Sequence, residues 1–336
     1  MPAINRTVHL AAYPAGVPRE SDFALVETPI PEPGDGEVLV RNLYMGVEPY
    51  LRSRLVDPAV NAQAVKIGAA LEGPAVGRVE ASRHPQLAVG DYVINRLGWR
   101  EYLTAPAGQL EKIDPGVAPL SYYLGILGGT GFTAYIGMVD AGKPQAGETV
   151  FVSGAAGAVG SVAGQIAALH GSRVVGSTSS NAKVNVLVNE LHFASVFNYR
   201  TVRASDALEA ACPGGIDLYF DNVGGEQLQA AFDHMREFGR IIACGAISQY
   251  NAQGEEFGLR NMELFFRRSL TFRGLRDRNS DQRRADFTRD MLGWISTGEV
   301  QNRETVVEGI EHAASAFIGL FRGDNIGKMI VAIGRE

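Results

Sequence analysis

One stretch restricts the fold of this chain more than any other: Ser153-Gly154-Ala155-Ala156-Gly157-Ala158-Val159-Gly160, near the middle of 336 residues. A strand-like run at 148–152 precedes it, and a helical pattern through Val162, Gln165, Ile166 and Leu169 follows. Strand, glycine turn and helix in that order build a pyrophosphate site. Gly157 lets the backbone approach the phosphates, Gly160 lets the helix pack closely, and the helix start supplies unpaired N–H donors. A site for NAD would place an Asp or Glu roughly 20 residues further on, against the ribose 2′-hydroxyl. From Ser161 to Val188 this chain has no acidic residue, and after a second strand at 173–176 it offers Lys183 instead. An ammonium in place of a carboxylate suits a 2′-phosphate, so the cofactor read here is NADP(H). Tyr199, at the end of the next strand, joins Lys183 in that reading; a surface lysine and a packing tyrosine are the plainer alternatives.

The glycine turn also orders the rest of the chain. After it, strands at 195–198, 216–221, 240–244 and 270–273 alternate with helices, which predicts a doubly wound parallel sheet. Ligands of such a sheet bind at the carboxyl ends of its strands, where the turn, Asp221-Asn222 and Cys244-Gly245 all fall. Before it, short alternating runs at 37–41, 75–79 and 90–94 sit among Pro and Gly, which predicts a compact, barrel-like β domain. A helical pattern spans 122–139 and an amphipathic one 287–297. The expected division is 1–121 for the first β segment, 122–299 for the nucleotide-binding domain, and 300–336 for a tail whose strand at 328–332 rejoins the first domain.

Bulk properties exclude several classes. A net charge of −6 without a basic stripe argues against a nucleic-acid surface. No apolar run reaches the length of a membrane span, no leader pattern is evident, and two cysteines make no disulfide framework, so the cytoplasm is the expected compartment. Catalytic zinc needs a Cys, His and carboxylate set that the six scattered histidines do not form. None of the 11 tyrosines has Lys four residues on, which removes the short-chain dehydrogenase arrangement. What is left is a metal-free reductase in which a polarised substrate takes hydride from NADPH, with neutral donors stabilising the oxyanion.

Several ordered motifs carry a resemblance to a known family. They are Gly46-Val47-Glu48-Pro49-Tyr50-Leu51-Arg52, Gly131-Phe132-Thr133-Ala134-Tyr135, the glycine turn, Phe197-Asn198-Tyr199 and Phe220-Asp221-Asn222-Val223-Gly224-Gly225. Two more are Cys244-Gly245-Ala246-Ile247-Ser248-Gln249-Tyr250-Asn251 and Gly323-Asp324-Asn325-Ile326-Gly327-Lys328. The chain resembles the zinc-independent medium-chain reductases, a family that includes prostaglandin reductases, alkenal double-bond reductases and curcumin reductases.

The resemblance implies an α/β fold: a GroES-like β-barrel catalytic domain plus a Rossmann domain, in a homodimer. It implies reduction of the C=C bond of α,β-unsaturated ketones and aldehydes by hydride transfer to the β-carbon. Cofactor contacts would come from Gly157, Ala158, Val159, Gly160, Lys183, Tyr199, Asn222, Cys244, Gly245, Ala246, Ile247, Ser248, Leu275 and Asn325. Tyr250 would be the catalytic phenol and Tyr50 would line the substrate mouth. Plainer roles are open for several of these residues. Tyr250 and Tyr50 could be packing aromatics, Asn222 a helix cap, Asn325 a turn residue, and Arg52 structural.

Two segments depart from the family pattern. Gly129-Thr130-Gly131 stands where Met-Pro-Gly is usual. Gly274-Leu275-Arg276-Asp277-Arg278 replaces an apolar segment near cofactor and substrate, so Arg276 is expected to meet either solvent, a subunit, or a polar or anionic substrate. The alternatives for function are quinone reduction and an NADPH-binding, crystallin-like or sensor role without turnover.

Overall fold

The computed structural model of the chain describes residues 4–252, 257–275 and 281–334. The chain divides into two units, one formed by Met1–Gly125 with Glu304–Glu336, the other by Ile126–Arg303.

The first unit opens with an antiparallel pair, β1 (Ile4–Leu10) and β2 (Phe23–Pro29). Then come β3 (Glu37–Gly46), β4 (Ala75–Ser82), β5 (Tyr92–Asn95), β6 (Tyr102–Pro106) and β7 (Glu111–Ile113). Strand β3 runs five residues beyond the expected 37–41, because Leu43 and Met45 are buried and the strand goes on pairing with β4 on one edge and with the C-terminal strand 328–332 on the other. Arg52, in the short 3₁₀ turn Pro49–Arg54, is buried. Its guanidinium donates to the carbonyls of Pro14 (3.2 Å), Gly16 (3.0 Å) and Leu55 (3.3 Å). It clamps the 14–16 loop onto the segment that carries Tyr50.

In the second unit a six-stranded parallel sheet comprises β8 (Thr149–Val152), β9 (Arg173–Thr178), β10 (Ser195–Asn198), β11 (Ile216–Asp221), β12 (Met235–Ala243) and β13 (Thr271–Gly274). Their order is β10-β9-β8-β11-β12-β13, the doubly wound arrangement with its reversal beside β8. The helices are α1 (Gly129–Tyr135), α2 (Ala158–Leu169), α3 (Asn181–Asn189), α4 (Ala204–Ala211), α5 (Gly225–His234), α6 (Glu263–Arg267) and α7 (Asp281–Thr297). The helix expected over 122–139 is not continuous. A 3₁₀ turn over Leu120–Leu124 ends at Gly125, α1 starts at Gly129 with Gly128 as its N-cap, and a π-helical segment Ile136–Gly142 follows. Glycine backbone freedom breaks the apolar periodicity there. Phe151, Phe197 and Tyr219 stack across the sheet face, with centroids 5.9 and 4.9 Å from Phe151.

From Glu304 the chain belongs to the first unit. It forms β14 (Glu304–Glu308), α8 (Ala313–Arg322) and β15 (Lys328–Ala332). Strand β15 pairs antiparallel with β3, giving a sheet ordered β14-β15-β3-β4-β5-β7 with β6 also on β3. Phe317 of α8 packs edge-on against Phe23 and Trp99 in the core of this unit. Removing the buried guanidinium of Arg52 takes the donor from three carbonyls at once. Arg52→Met should therefore lower unfolding free energy by about 2 kcal/mol, read by urea denaturation.

Candidate active site

The glycine turn has the geometry its sequence implies. Gly154 is left-handed (φ +58°) and Gly157 is the extended N-cap of α2. No side chain caps this helix, so the N–H groups of Ala158, Val159 and Gly160 have no intrahelical partner. A Cβ on Gly160 would lie 2.5 Å from the Gly154 carbonyl oxygen and 2.9 Å from the Ala155 Cα, so only glycine lets the helix start there. The turn is held from the side by Ala155 N–H, which donates to the Ser177 carbonyl of β9 (2.9 Å).

Beneath the turn lies a buried polar knot. The carboxylate of Asp221, 1% exposed at the end of β11, takes four hydrogen bonds on Oδ1. They come from the hydroxyls of Tyr219 (2.6 Å) and Ser153 (3.0 Å) and the N–H groups of Val223 (2.9 Å) and Gly224 (2.8 Å). The Asp221 carbonyl in turn accepts from the N–H groups of Cys244 (2.8 Å) and Gly245 (3.0 Å). One residue thereby ties the ends of β8, β11 and β12 together. Burial, followed by the Asp221 charge, drives the Tyr219 phenol far above its ordinary range, so it serves only as a donor.

Asn222 does not cap α5, whose N-cap is Gly224; its amide donates to the Ser153 carbonyl (2.8 Å). The 244–248 segment lies along 222–223. Ile247 N–H donates to the Asn222 carbonyl (3.3 Å), and both the N–H and hydroxyl of Ser248 donate to the Val223 carbonyl (3.2 and 2.6 Å). The Tyr250 hydroxyl folds back to this strand end, 3.3 Å from where a Cβ of Gly245 would be. Burial pushes its phenol above the ordinary value, against the pull of the Ala246 backbone N–H, and the Asp221 charge adds to the rise. Burial also pushes the Cys244 thiol up to about 12, with Asp221 adding to it, so it carries no thiolate at neutral pH. Leu275 N–H donates to the Ala243 carbonyl (3.0 Å), which brings it to the same edge.

Two strands away, Lys183 sits in the first turn of α3 and is only 8% exposed. Its ammonium donates to the Ser179 hydroxyl (3.3 Å), and Ser180 caps the helix. Tyr199 follows β10, its N–H donating to the Thr178 carbonyl at the end of β9 (3.0 Å), and its ring is partly exposed. The expected site residues of this unit thus gather at the carboxyl edge of one sheet.

Tyr50 and Asn325 belong to the other unit. Tyr50 is 44% exposed; burial of the rest of the ring, then the Glu48 charge, pushes its phenol up. The Asn325 amide donates to the Gly327 carbonyl (2.7 Å), the turn-shaping role, leaving its side-chain oxygen for other partners. Arg276 lies outside the described residues. Among the described residues no group of three or more His, Cys, Asp or Glu could hold a metal ion.

The Asp221 knot is the feature that motif reading passed over. Its signal was the Asp217-Leu218-Tyr219-Phe220-Asp221 alternation, which sets three polar groups on one face of the strand and apolar residues on the other.

Residues 6–113 match a family described as the N-terminal domain of oxidoreductase, and residues 158–297 match one described as zinc-binding dehydrogenase. The zinc in that second description has no fitting donor set among the described residues. A Bacillus subtilis protein named as a putative NADP-dependent oxidoreductase is 42% identical, covering 99% of both chains. A tobacco 2-alkenal reductase (NADP⁺-dependent) is 39% identical over 99% of this chain and 98% of its own. The crystal structure of Vibrio vulnificus CurA in complex with NADPH superposes with a TM-score of 0.93 at 36% identity, covering 98% of this chain and 100% of that one.

Asp221→Ala would strand two backbone N–H groups and two hydroxyls in the interior. It should lower stability by about 3–5 kcal/mol, and Asp221→Asn, which keeps an acceptor oxygen, by clearly less; chemical denaturation of the three proteins checks the order.

Proposed function

Because the chain belongs to the zinc-independent medium-chain reductase family, we propose that it is an NADPH-dependent reductase of the C=C bond of α,β-unsaturated ketones and aldehydes. The observation that carries this reading is the carboxyl edge of the sheet, which brings together a bare helix N-terminus, a buried lysine with no acid near it in sequence, and a protonated phenol. The N–H groups of Ala158, Val159 and Gly160 suit the pyrophosphate, and Lys183 with Tyr199 suits the 2′-phosphate. Asn222, Cys244, Gly245, Ala246, Ile247, Ser248, Leu275 and Asn325 are the further cofactor contacts we assign.

When bound, NADPH would supply a hydride to the substrate β-carbon, and solvent would supply the proton that completes the α-carbon. The phenol of Tyr250 is held above its ordinary pKa and stays protonated at neutral pH, so it can donate to the carbonyl oxygen as negative charge develops there. Tyr50 contacts the substrate. We assign the protein to the cytoplasm, in keeping with two free cysteines and with no helix among the described residues being long and apolar enough to cross a membrane.

NADPH oxidation with a 2-alkenal, with the saturated aldehyde identified as product, tests the reading. Lys183→Ala should raise KM for NADPH about tenfold and leave that for NADH nearly unchanged, since a charged hydrogen bond to phosphate is worth about 1.5–3 kcal/mol. Tyr250→Phe should lower kcat about tenfold to a hundredfold with little change in KM for NADPH. Wild-type turnover that prefers NADH, or yields an unsaturated alcohol, would refute it.

We also propose a homodimer. Strand β13 is an open sheet edge with all four residues exposed, and Phe272, Phe266 (72% exposed) and Met262 lie on or near it. Sedimentation should give a dimer, and Phe272→Asp with Phe266→Asp should shift it toward monomer.

A further inference from the structure

Lys328 opens β15 and is almost wholly inaccessible, its side chain 3% exposed. Its ammonium lies 3.0 Å from Oε1 of Glu48, itself only 17% exposed. The structure makes room for this lysine at two glycines: a Cβ at Gly46 would meet its Cε at 3.0 Å, and one at Gly125 would meet its Cβ at 3.4 Å. A buried ion pair of this kind is a weak source of stability, because desolvating both charges offsets their attraction, and well-packed apolar residues usually do as well or better. What the pair does supply is a single geometry between two loops. Lys328 directly follows the turn shaped by Asn325, and Glu48 lies two residues before Tyr50 at the end of β3. Val47 N–H donates to the Met329 carbonyl (3.2 Å), so the backbones already run side by side and the pair sets their register.

We propose that Lys328 and Glu48 are positioning residues that hold the Tyr50 segment against the Asn325 turn, so that Tyr50 meets the substrate in one orientation. This rests on the reading of Tyr50 as a substrate contact given above. The pair touches neither substrate nor cofactor; it acts through Tyr50. Burial, and after it the Glu48 charge, pushes the Tyr50 phenol above its ordinary value.

The experiment is a double-mutant cycle on the full-length enzyme with NADPH and a six-carbon 2-alkenal. An apolar pair, Glu48→Leu with Lys328→Met, should unfold at or above the wild-type temperature. Its KM for the alkenal should rise about tenfold with kcat little changed, the signature of lost ground-state positioning. Tyr50→Ala should raise KM by about the same factor in the wild type and add almost nothing in the apolar-pair background. A purely structural pair would lower the unfolding temperature and leave the two KM effects independent. Independent effects, or an unchanged KM in the apolar-pair protein, overturn the proposal. Should that protein aggregate, Glu48→Gln takes its place in the cycle, and coupled or independent KM effects decide the matter in the same way. If the wild type reduces alkenals and the effects are independent, only the positioning idea falls; if the wild type reduces none, the functional reading falls and takes this one with it.

Discussion

The carboxylate of Asp221 organises the candidate site by satisfying groups that would otherwise be buried without partners. Strand ends are where ladder hydrogen bonds stop, and in a parallel sheet covered by helices those ends are out of reach of water. Here one side-chain oxygen takes two of the orphaned N–H groups, and the same residue's carbonyl takes two more. The glycine turn after β8, the Asn222 segment and the Cys244 segment are thereby fixed relative to each other to within a hydrogen bond. A cofactor that must be gripped along its whole length needs such fixity, since each loop that moved independently would have to be ordered on binding.

Electrostatics at this edge follow the same logic. An acid is present below the turn, where it is buried and takes four hydrogen bonds on one oxygen, and the residues that follow β9 through Asn189 include no acid to repel a 2′-phosphate. The buried charge reaches the Tyr250 phenol and the Cys244 thiol as well. Burial, with that charge adding to it, pushes both toward their protonated forms.

Much of this is legible in the amino-acid order alone. The doubly wound sheet follows from alternation of short β-branched runs with helical ones, and its strand order places the reversal beside the glycine turn. The placement of Lys183, Asn222, Cys244 and Tyr250 at the carboxyl edge of the sheet is legible because each follows a strand, where the chain has little choice of position. Other features are hidden because periodicity speaks only of faces. The unbroken helix expected at 122–139 fails at Gly128-Gly129, where backbone freedom outweighs apolar spacing. The reach of β3 to Gly46 depends on partners far along the chain, β4 and β15.

The division of labour has a physical basis. Local chemistry is written in consecutive residues: a glycine where a Cβ would strike the Gly154 carbonyl, and a lysine in place of an acid after β9. Those the amino-acid order determined alone. Which distant side chains meet was decided only by the tertiary structure. Tyr219, Ser153 and Asp221 converge because β8 and β11 become neighbours, and Lys328 finds Glu48, 280 residues away in sequence, because β15 docks on β3. Burial then turns those meetings into strong constraints, since a polar group without water must take whatever partner the packing provides.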